Sequence, residues 1–234
     1  MTGDRKPVYL LAGGPSSKRS GGPDPLIQEA LRQTGAKDPS VAYVGAASKD
    51  SPPFRAMISK LLKRAGAREV LLAPLCGCRA NPEEAMRVIE SCDIVFLSGG
   101  DVELGMEILK NTGMIDFLLG QYEQGKPFFG LSAGSIMLGK SWIRWSDPDE
   151  LPTGELFDCL GIAGVVCDTH DEEDGWEELR MLVQLIPPGT VGFGIPSGSA
   201  LVANPSGSVR AAGGEVHRFM RTDRAVNQID SIRA

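Results

Sequence analysis

The chain has 234 residues, of which 42% are hydrophobic and 23% charged, and its formal net charge is −6 at pH 7. This length suffices for one substantial core, so we expect residues 1–234 to form a single domain. The acidic balance argues against a nucleic-acid-binding surface, and no apolar run approaches the roughly 18 residues of a membrane span. We therefore expect neither nucleic acid nor a membrane as a partner.

The cysteines and the amino terminus indicate a reducing compartment. Five cysteines are an odd number in a chain that is too large to need disulfide cross-links. The segment Met1 to Pro7 is polar and does not resemble a signal peptide, so we expect a cytoplasmic location. Cys76-Gly77-Cys78 lacks C-x-x-C spacing, and two histidines supply no evident second ligand pair. We predict structural cysteines, no metal and no cofactor.

Short apolar runs alternate with helical patterns as far as Leu131. Strands are predicted over Val8 to Ala12, Val41 to Gly45, Val70 to Ala73, Ile94 to Leu97 and Pro127 to Leu131. Helices are predicted over Pro25 to Thr34, Phe54 to Ala65, Pro82 to Ser91, Glu103 to Lys110 and Ile115 to Gln124. This order predicts a three-layer α/β/α sandwich with a mostly parallel central sheet. Ligands of such a fold bind beyond the carboxyl ends of the strands.

The pattern changes after Gly161. Strands are predicted over Val165 to Asp168, Val191 to Ile195, Ala200 to Ala203, Val209 to Ala212 and Val216 to Met220, with a helix over Trp176 to Leu185. The closing strands are typical of an antiparallel edge. Lys18 to Asp24 and Ser146 to Thr153 are predicted to be loops.

Three predicted strand ends are rich in glycine and should lie close together: Gly13-Gly14, Gly99-Gly100-Asp101 and the turn after Phe129. The first lacks the spacing of a P-loop or a dinucleotide site, so nucleotide binding is not expected. The third, Gly130-Leu131-Ser132-Ala133-Gly134, has the G-x-S-x-G pattern between a strand and a helix. Such a turn presents a serine at its apex beside free N–H groups of the helix start. An ordinary Gly/Ser turn is the alternative.

A nucleophilic serine needs a base, and histidine serves best near neutral pH. His170 follows a predicted strand at its carboxyl end, as Ser132 does, whereas His217 lies inside a predicted late strand. This placement favours His170, although an exposed loop histidine is the plain alternative. A second scheme, that of an α/β-hydrolase esterase, would combine Ser132 with a later aspartate and His217.

Several segments together resemble the serine peptidases of the dipeptidase E and cyanophycinase group, peptidase family S51. They are Tyr9-Leu10-Leu11-Ala12-Gly13-Gly14, Phe96-Leu97-Ser98-Gly99-Gly100-Asp101, Gly130 to Ser135, Asp168-Thr169-His170, and Gly192-Phe193-Gly194-Ile195 leading into Ala200-Leu201-Val202. The resemblance implies a class I glutamine amidotransferase-like (flavodoxin-like) fold and the hydrolysis of short peptides or isopeptides. It implies Ser132 as nucleophile, His170 as general base, and the N–H groups of Gly100 and Ala133 as the oxyanion hole. Amidotransferases of this fold carry cysteine at the turn, so serine argues against glutamine hydrolysis.

The chain departs from that family where an acidic residue usually follows the Gly-Ile pair, because Pro196 and Ser197 stand there. We expect Asp147 to replace this acid and orient His170, with Asp168 as the next candidate. Ser197 could also hydrogen-bond the imidazole, but a neutral group stabilises imidazolium less. A catalytically degenerate binding protein is therefore the alternative from another functional class.

The substrate-binding residues follow less directly. We expect Gly99, Asp101 and Arg180 to contact a short peptide substrate, with Arg180 meeting a carboxylate. Family members that cut after aspartyl groups place basic residues shortly after the histidine, whereas this chain has Asp171-Glu172-Glu173-Asp174. If these carboxylates face the cleft they favour a cationic substrate, and otherwise they form an exposed acidic turn. A homodimer is the assembly that base rates favour.

Overall fold

The computed structural model describes residues 4–14, 22–145, 154–222 and 225–234. Its helices are α1 (Pro25–Arg32), α2 (Pro52–Arg64), α3 (Pro82–Ser91), α4 (Val102–Asn111), α5 (Met114–Glu123), α6 (Ala133–Leu138) and α7 (Glu177–Leu185). Its strands are β1 (Val8–Leu11), β2 (Ser40–Val44), β3 (Glu69–Ala73), β4 (Ile94–Leu97), β5 (Phe128–Leu131), β6 (Ser141–Trp145), β7 (Gly154–Asp158), β8 (Val166–Thr169), β9 (Val191–Ile195), β10 (Ala200–Ala203), β11 (Val209–Ala212), β12 (Val216–Arg221) and β13 (Val226–Ile232). Within these ranges no helix combines the length and apolar character that crossing a membrane requires. The predicted loop Ser146 to Thr153 and most of the loop Lys18 to Asp24 lie outside the described residues.

The central sheet has seven strands in the order β11-β10-β1-β5-β4-β2-β3. Strands β1 to β5 run parallel, and β10 and β11 add an antiparallel edge beside β1. Alternate residues of β1 enter two cores: Val8 and Leu10 pack on one face, Tyr9 and Leu11 on the other. Helices α1 and α2 cover the second face, whereas α3 to α6 pack on the first. The predicted three-layer, mostly parallel α/β/α architecture is confirmed.

The strands after Gly161 differ from the predicted single antiparallel edge. Only β10 and β11 join the central sheet, and β9 and β12 belong to a second sheet of order β13-β12-β9-β8. In it β8 and β9 run parallel, with Thr169 opposite Ile195. Helix α7 covers this sheet so closely that a Cβ on Gly194 would lie 2.7 Å from the Trp176 ring. Strand β8 therefore belongs to the second sheet, and its carboxyl end lies near the carboxyl ends of the central strands.

Candidate active site

The turn between β5 and α6 holds Ser132 in a strained backbone conformation. Its φ of 53° and ψ of −126° lie outside the regions that non-glycine residues ordinarily adopt. Its N–H donates to the Leu11 carbonyl at 2.9 Å, which ties the turn to β1. A Cβ on Gly134 would lie 2.1 Å from the Leu97 oxygen, and one on Gly130 would lie 2.5 Å from Gly134. The glycines are needed because three backbone segments meet directly behind the serine.

His170 follows the last residue of β8 and faces this serine. Its backbone is left-handed, with φ 49°, and its N–H donates to the Ile195 carbonyl at 2.9 Å. The imidazole Nε2 lies 2.7 Å from the Ser132 Oγ, within ordinary hydrogen-bond distance. The structure thus brings together the two side chains that the sequence paired. This is the geometry of a serine that can pass its proton to a neighbouring base.

His217 lies elsewhere. It sits in β12, where its Nδ1 is 3.3 Å from both the Ser231 Oγ and the Gln228 Nε2. Its ring packs against the buried Trp176 with a centroid distance of 5.8 Å. The α/β-hydrolase scheme with His217 as base does not fit this arrangement, because the imidazole beside Ser132 belongs to His170.

Gly100 and Ala133, whose N–H groups the resemblance implies as the oxyanion hole, line the same cavity as Ser132. Ala133 is the first residue of α6, and Gly100 lies in the turn between β4 and α4. In the described ranges neither N–H donates to a protein acceptor. Gly100 has φ 143°, and a Cβ there would lie 2.0 Å from the Ala47 oxygen. Only glycine fits this turn, because a side chain would collide with the Ala47 carbonyl.

Glu172 interacts electrostatically with His170, and the sequence analysis named it only as part of the acidic run Asp171 to Asp174. The Glu172 Oε1 accepts a hydrogen bond from the Ser197 N–H at 3.1 Å. Partial burial raises the pKa of Glu172, but hydrogen bonds from the Ser197 hydroxyl and N–H, together with the positive charge of a protonated His170, lower it overall. Glu172 is therefore an ionised carboxylate within the electrostatic reach of His170, at the position where the expected acid is replaced by Ser197.

The two aspartates proposed as the orienting acid have different outcomes. Asp147 lies outside the described residues. Asp168 is 4% exposed, and its Oδ1 accepts from the Thr169 N–H at 2.7 Å rather than from His170. Asp168 thus does not orient the imidazole.

Two cavities meet at Ser132. The larger, with a volume of about 820 Å³, is an apolar groove. The Gly13-Gly14 turn, Gly99, Gly100 and Ser132 line it, so the three glycine-rich strand ends lie together. Side chains of α1 and α2 form its outer wall, among them the exposed Met57. The groove can receive an apolar part of a substrate.

The second cavity, with a volume of about 470 Å³, lies on the other side of the Ser132 and His170 pair and is acidic. The carboxylates that line it are Asp101, Glu103, Asp168, Asp171, Asp174 and Glu178. We call it the acidic cavity. The predicted substrate contact Asp101 stands at its edge, where its side chain accepts from the Leu104 N–H at 2.9 Å and caps α4.

Arg180 requires a correction, since it lines neither of these cavities. Its guanidinium lies over the Phe219 ring, 4.7 Å from the centroid, and its Nε donates to the Gly175 carbonyl at 3.0 Å. It lines a separate cavity with Asp174, Gly175 and Val226. A substrate carboxylate at the serine therefore does not meet this arginine in the observed arrangement.

The cysteines are free thiols. Burial, above all, raises the pKa of Cys76 and of Cys159 to about 12, and burial likewise raises the pKa of Cys167. These three thiols are protonated and unreactive near neutral pH. In the described ranges no three His, Cys, Asp or Glu side chains are grouped so that they could hold a metal ion.

Comparisons with known proteins agree with this geometry. The model of peptidase family S51 matches residues 9–208. The cyanophycinase of Synechococcus elongatus is 25% identical over 215 residues, which cover 89% of this chain and 66% of that protein, so the chain spans just under two thirds of this relative. Peptidase E of Haemophilus influenzae (strain ATCC 51907 / DSM 11121 / KW20 / Rd) is 28% identical over 123 residues, covering 49% of this chain and 56% of that protein.

A solved structure shares the fold. The crystal structure of a peptidase from an acI-B1 Actinobacterium superposes with a TM-score of 0.70 at 18% sequence identity, covering 98% of this chain and 97% of that chain. The family match extends from β1 to the turn after β10 and includes both Ser132 and His170. The chain belongs to peptidase family S51.

Proposed function

We propose that this protein is a serine peptidase that hydrolyses short peptides or isopeptides. The observation that carries the proposal is the 2.7 Å contact between the Ser132 Oγ and the His170 Nε2 at a strained turn. Membership of peptidase family S51 supports it, as do relatives named cyanophycinase and peptidase E. The scheme requires no metal or organic cofactor.

The reaction begins when the Ser132 Oγ attacks the scissile carbonyl carbon and its proton passes to the His170 Nε2. The carbonyl oxygen becomes an oxyanion, which the N–H groups of Gly100 and Ala133 stabilise. The C–N bond then breaks, and His170 returns the proton to the leaving amine. An acyl group remains on Ser132 until a water molecule, deprotonated by His170, attacks it and releases the second product.

We infer that Glu172 supports His170 in this scheme as a positioning residue. An imidazolium forms in both steps, and an ionised carboxylate nearby stabilises it. The hydrogen bond from the Ser197 N–H holds the Glu172 carboxylate in place, and its charge interacts with that of a protonated His170. Glu172 would thus supply, from the loop after β8, the negative charge that Ser197 lacks.

A binding protein without turnover is the second candidate. It is favoured by Pro196 and Ser197, which stand where the family usually has an acidic residue. Such a protein would keep the cleft and the serine but hydrolyse nothing.

One experiment separates the two functions. The purified protein and its Ser132→Ala variant are incubated with a library of dipeptides and isopeptides that includes Asp-X, β-Asp-Arg, Arg-X and Lys-X members. The peptidase proposal predicts hydrolysis that disappears in the variant, which also controls for contaminating peptidases. Equal rates for both proteins across the library would support the binding protein instead.

A further inference from the structure

We propose that the acidic cavity beside Ser132 is a subsite for a cationic group of the substrate, a primary ammonium or a guanidinium. This inference deepens the proposed function and rests on it, because it treats the bound molecule as a substrate. It does not rest on turnover, because a cation can bind in this cavity whether or not Ser132 reacts. The cavity shares Gly100, Ser132 and His170 with the reacting centre, so its occupant would be joined to the scissile group.

The first observation is a buried carboxylate that lacks a partner. Asp168 lines the cavity and is 4% exposed, yet its Oδ2 has no hydrogen-bond partner among the described residues. The Asp171 Oδ2 is in the same situation. A buried acceptor without a donor is costly, and most proteins avoid it. A bound N–H donor with positive charge would satisfy both oxygens.

The second observation is the charge that surrounds this carboxylate. Burial, first of all, and then the Asp171 and Glu178 carboxylates raise the pKa of Asp168 to about 8, while the Thr169 N–H acts in the opposite direction. Burial and the Asp174 and Glu178 carboxylates likewise raise the pKa of Asp171. These groups repel one another in the absence of a cation, and a cation would relieve the repulsion.

Among the described residues, no lysine or arginine pairs with the three carboxylates Asp168, Asp171 and Asp174. Arg144 lines the cavity, but it forms a salt bridge with Glu103 at the rim. The carboxylates are not grouped as metal ligands either. Their arrangement along a cavity of about 470 Å³ suits an extended organic cation rather than an ion.

The cation could be a lysine or arginine side chain or the free amino terminus of a peptide, and four probes separate these sources. Lysinamide carries both ammonium groups, Nα-acetyl-lysinamide only the side-chain one, norleucinamide only the α-ammonium, and Nα-acetyl-norleucinamide neither. Their binding to the full-length Ser132→Ala protein is measured by calorimetry, so no turnover is needed. The same titrations are run with Asp168→Asn added, and with Asp171→Asn added in case the first double variant does not fold.

The proposal predicts that at least one singly charged probe binds at least about tenfold more tightly than Nα-acetyl-norleucinamide, as expected for a charge-assisted contact. Asp168→Asn or Asp171→Asn should remove this advantage. Glu173→Gln is the matched control, since Glu173 belongs to the same loop but is exposed and lines neither cavity. Preference for Nα-acetyl-lysinamide assigns the subsite to a side chain, and preference for norleucinamide assigns it to the amino terminus. Equal binding of charged and neutral probes, or an undiminished preference in both Asn variants, overturns the proposal.

Discussion

The Glu172 carboxylate accepts a hydrogen bond from the Ser197 N–H at 3.1 Å. This contact joins the loop after β8, which begins at His170, to the loop after β9. Glu172 therefore contacts the segment Pro196-Ser197, where the family usually has an acidic residue after the Gly-Ile pair. The loss of that acid at Pro196 and Ser197 does not leave the base without a negative charge nearby.

The first prediction concerns this charge. Glu172→Gln keeps the shape of the side chain and removes its charge, so the imidazolium formed during catalysis loses stabilisation. We expect kcat to fall about tenfold or more, with KM little changed, on the peptide that the wild type hydrolyses fastest. Glu173→Gln is the control, and equal effects of the two substitutions would refute the role of Glu172.

The second prediction concerns the close packing behind Ser132. Gly134→Ala would place a Cβ 2.1 Å from the Leu97 oxygen, a contact that only backbone movement can relieve. We expect the free energy of unfolding to fall by roughly 3 kcal/mol, as for other overpacked sites. Gly120→Ala in α5 is the contrasting variant, because its Cβ meets nothing within 4 Å. It should gain roughly 0.5 to 1 kcal/mol from helix propensity. Urea titrations of both variants that show equal stability would contradict the packing described for the turn.

The third prediction concerns the stability cost of Asp168. Since burial raises its pKa from 3.8 to about 8, the folded protein holds a proton that the unfolded chain has lost between these pH values. Stability contributed by this group therefore falls as pH rises from about 4 to about 8, by about 1.4 kcal/mol for each unit of pKa shift. Asp168→Asn removes the dependence, so the variant should unfold at a higher temperature than the wild type at pH 9.

The control for this prediction is the same comparison at pH 4.5, where both side chains are neutral in the folded protein and the difference between the two melting temperatures should become small. Neighbouring Asp171 and Glu178 also act on Asp168, so Asp171→Asn should reduce the dependence without abolishing it. A wild type that exceeds Asp168→Asn in stability at pH 9 would show that the carboxylate has a stabilising partner.

The central sheet was predictable because its inner strands are buried on both faces and its helices are amphipathic. Strands β4, β10 and β11 begin and end where the apolar pattern predicts, and β1 differs by one residue. The division into two sheets was not predictable, because strand periodicity does not identify the partner of a strand. The hairpin of β6 and β7 and the edge strand β13 were missed. The β13 sequence, Val-Asn-Gln-Ile-Asp-Ser-Ile, is polar and largely exposed, so it lacks a strong apolar pattern.

Within the site, Ser132 and His170 could be predicted from the sequence, since each follows the carboxyl end of a predicted strand. The contact between Glu172 and Ser197 could not be predicted, because it joins two loops that are distant along the chain. The Asp171 to Asp174 run was visible, but whether it faced the cleft depends on the path of the loop. The contact between Arg180 and the substrate could not be judged from the sequence either, because the position of this side chain depends on its packing against Phe219.

The central claim is that His170 activates Ser132, and covalent labelling by a fluorophosphonate tests it most directly. The labelling rate is followed by intact-protein mass spectrometry, and the modified residue is identified by peptide mapping. We predict one adduct, on Ser132, whose rate falls by about a thousandfold or more in His170→Ala and is little changed in His217→Ala. An adduct on another residue, or equal labelling rates in the wild type and His170→Ala, would contradict the account.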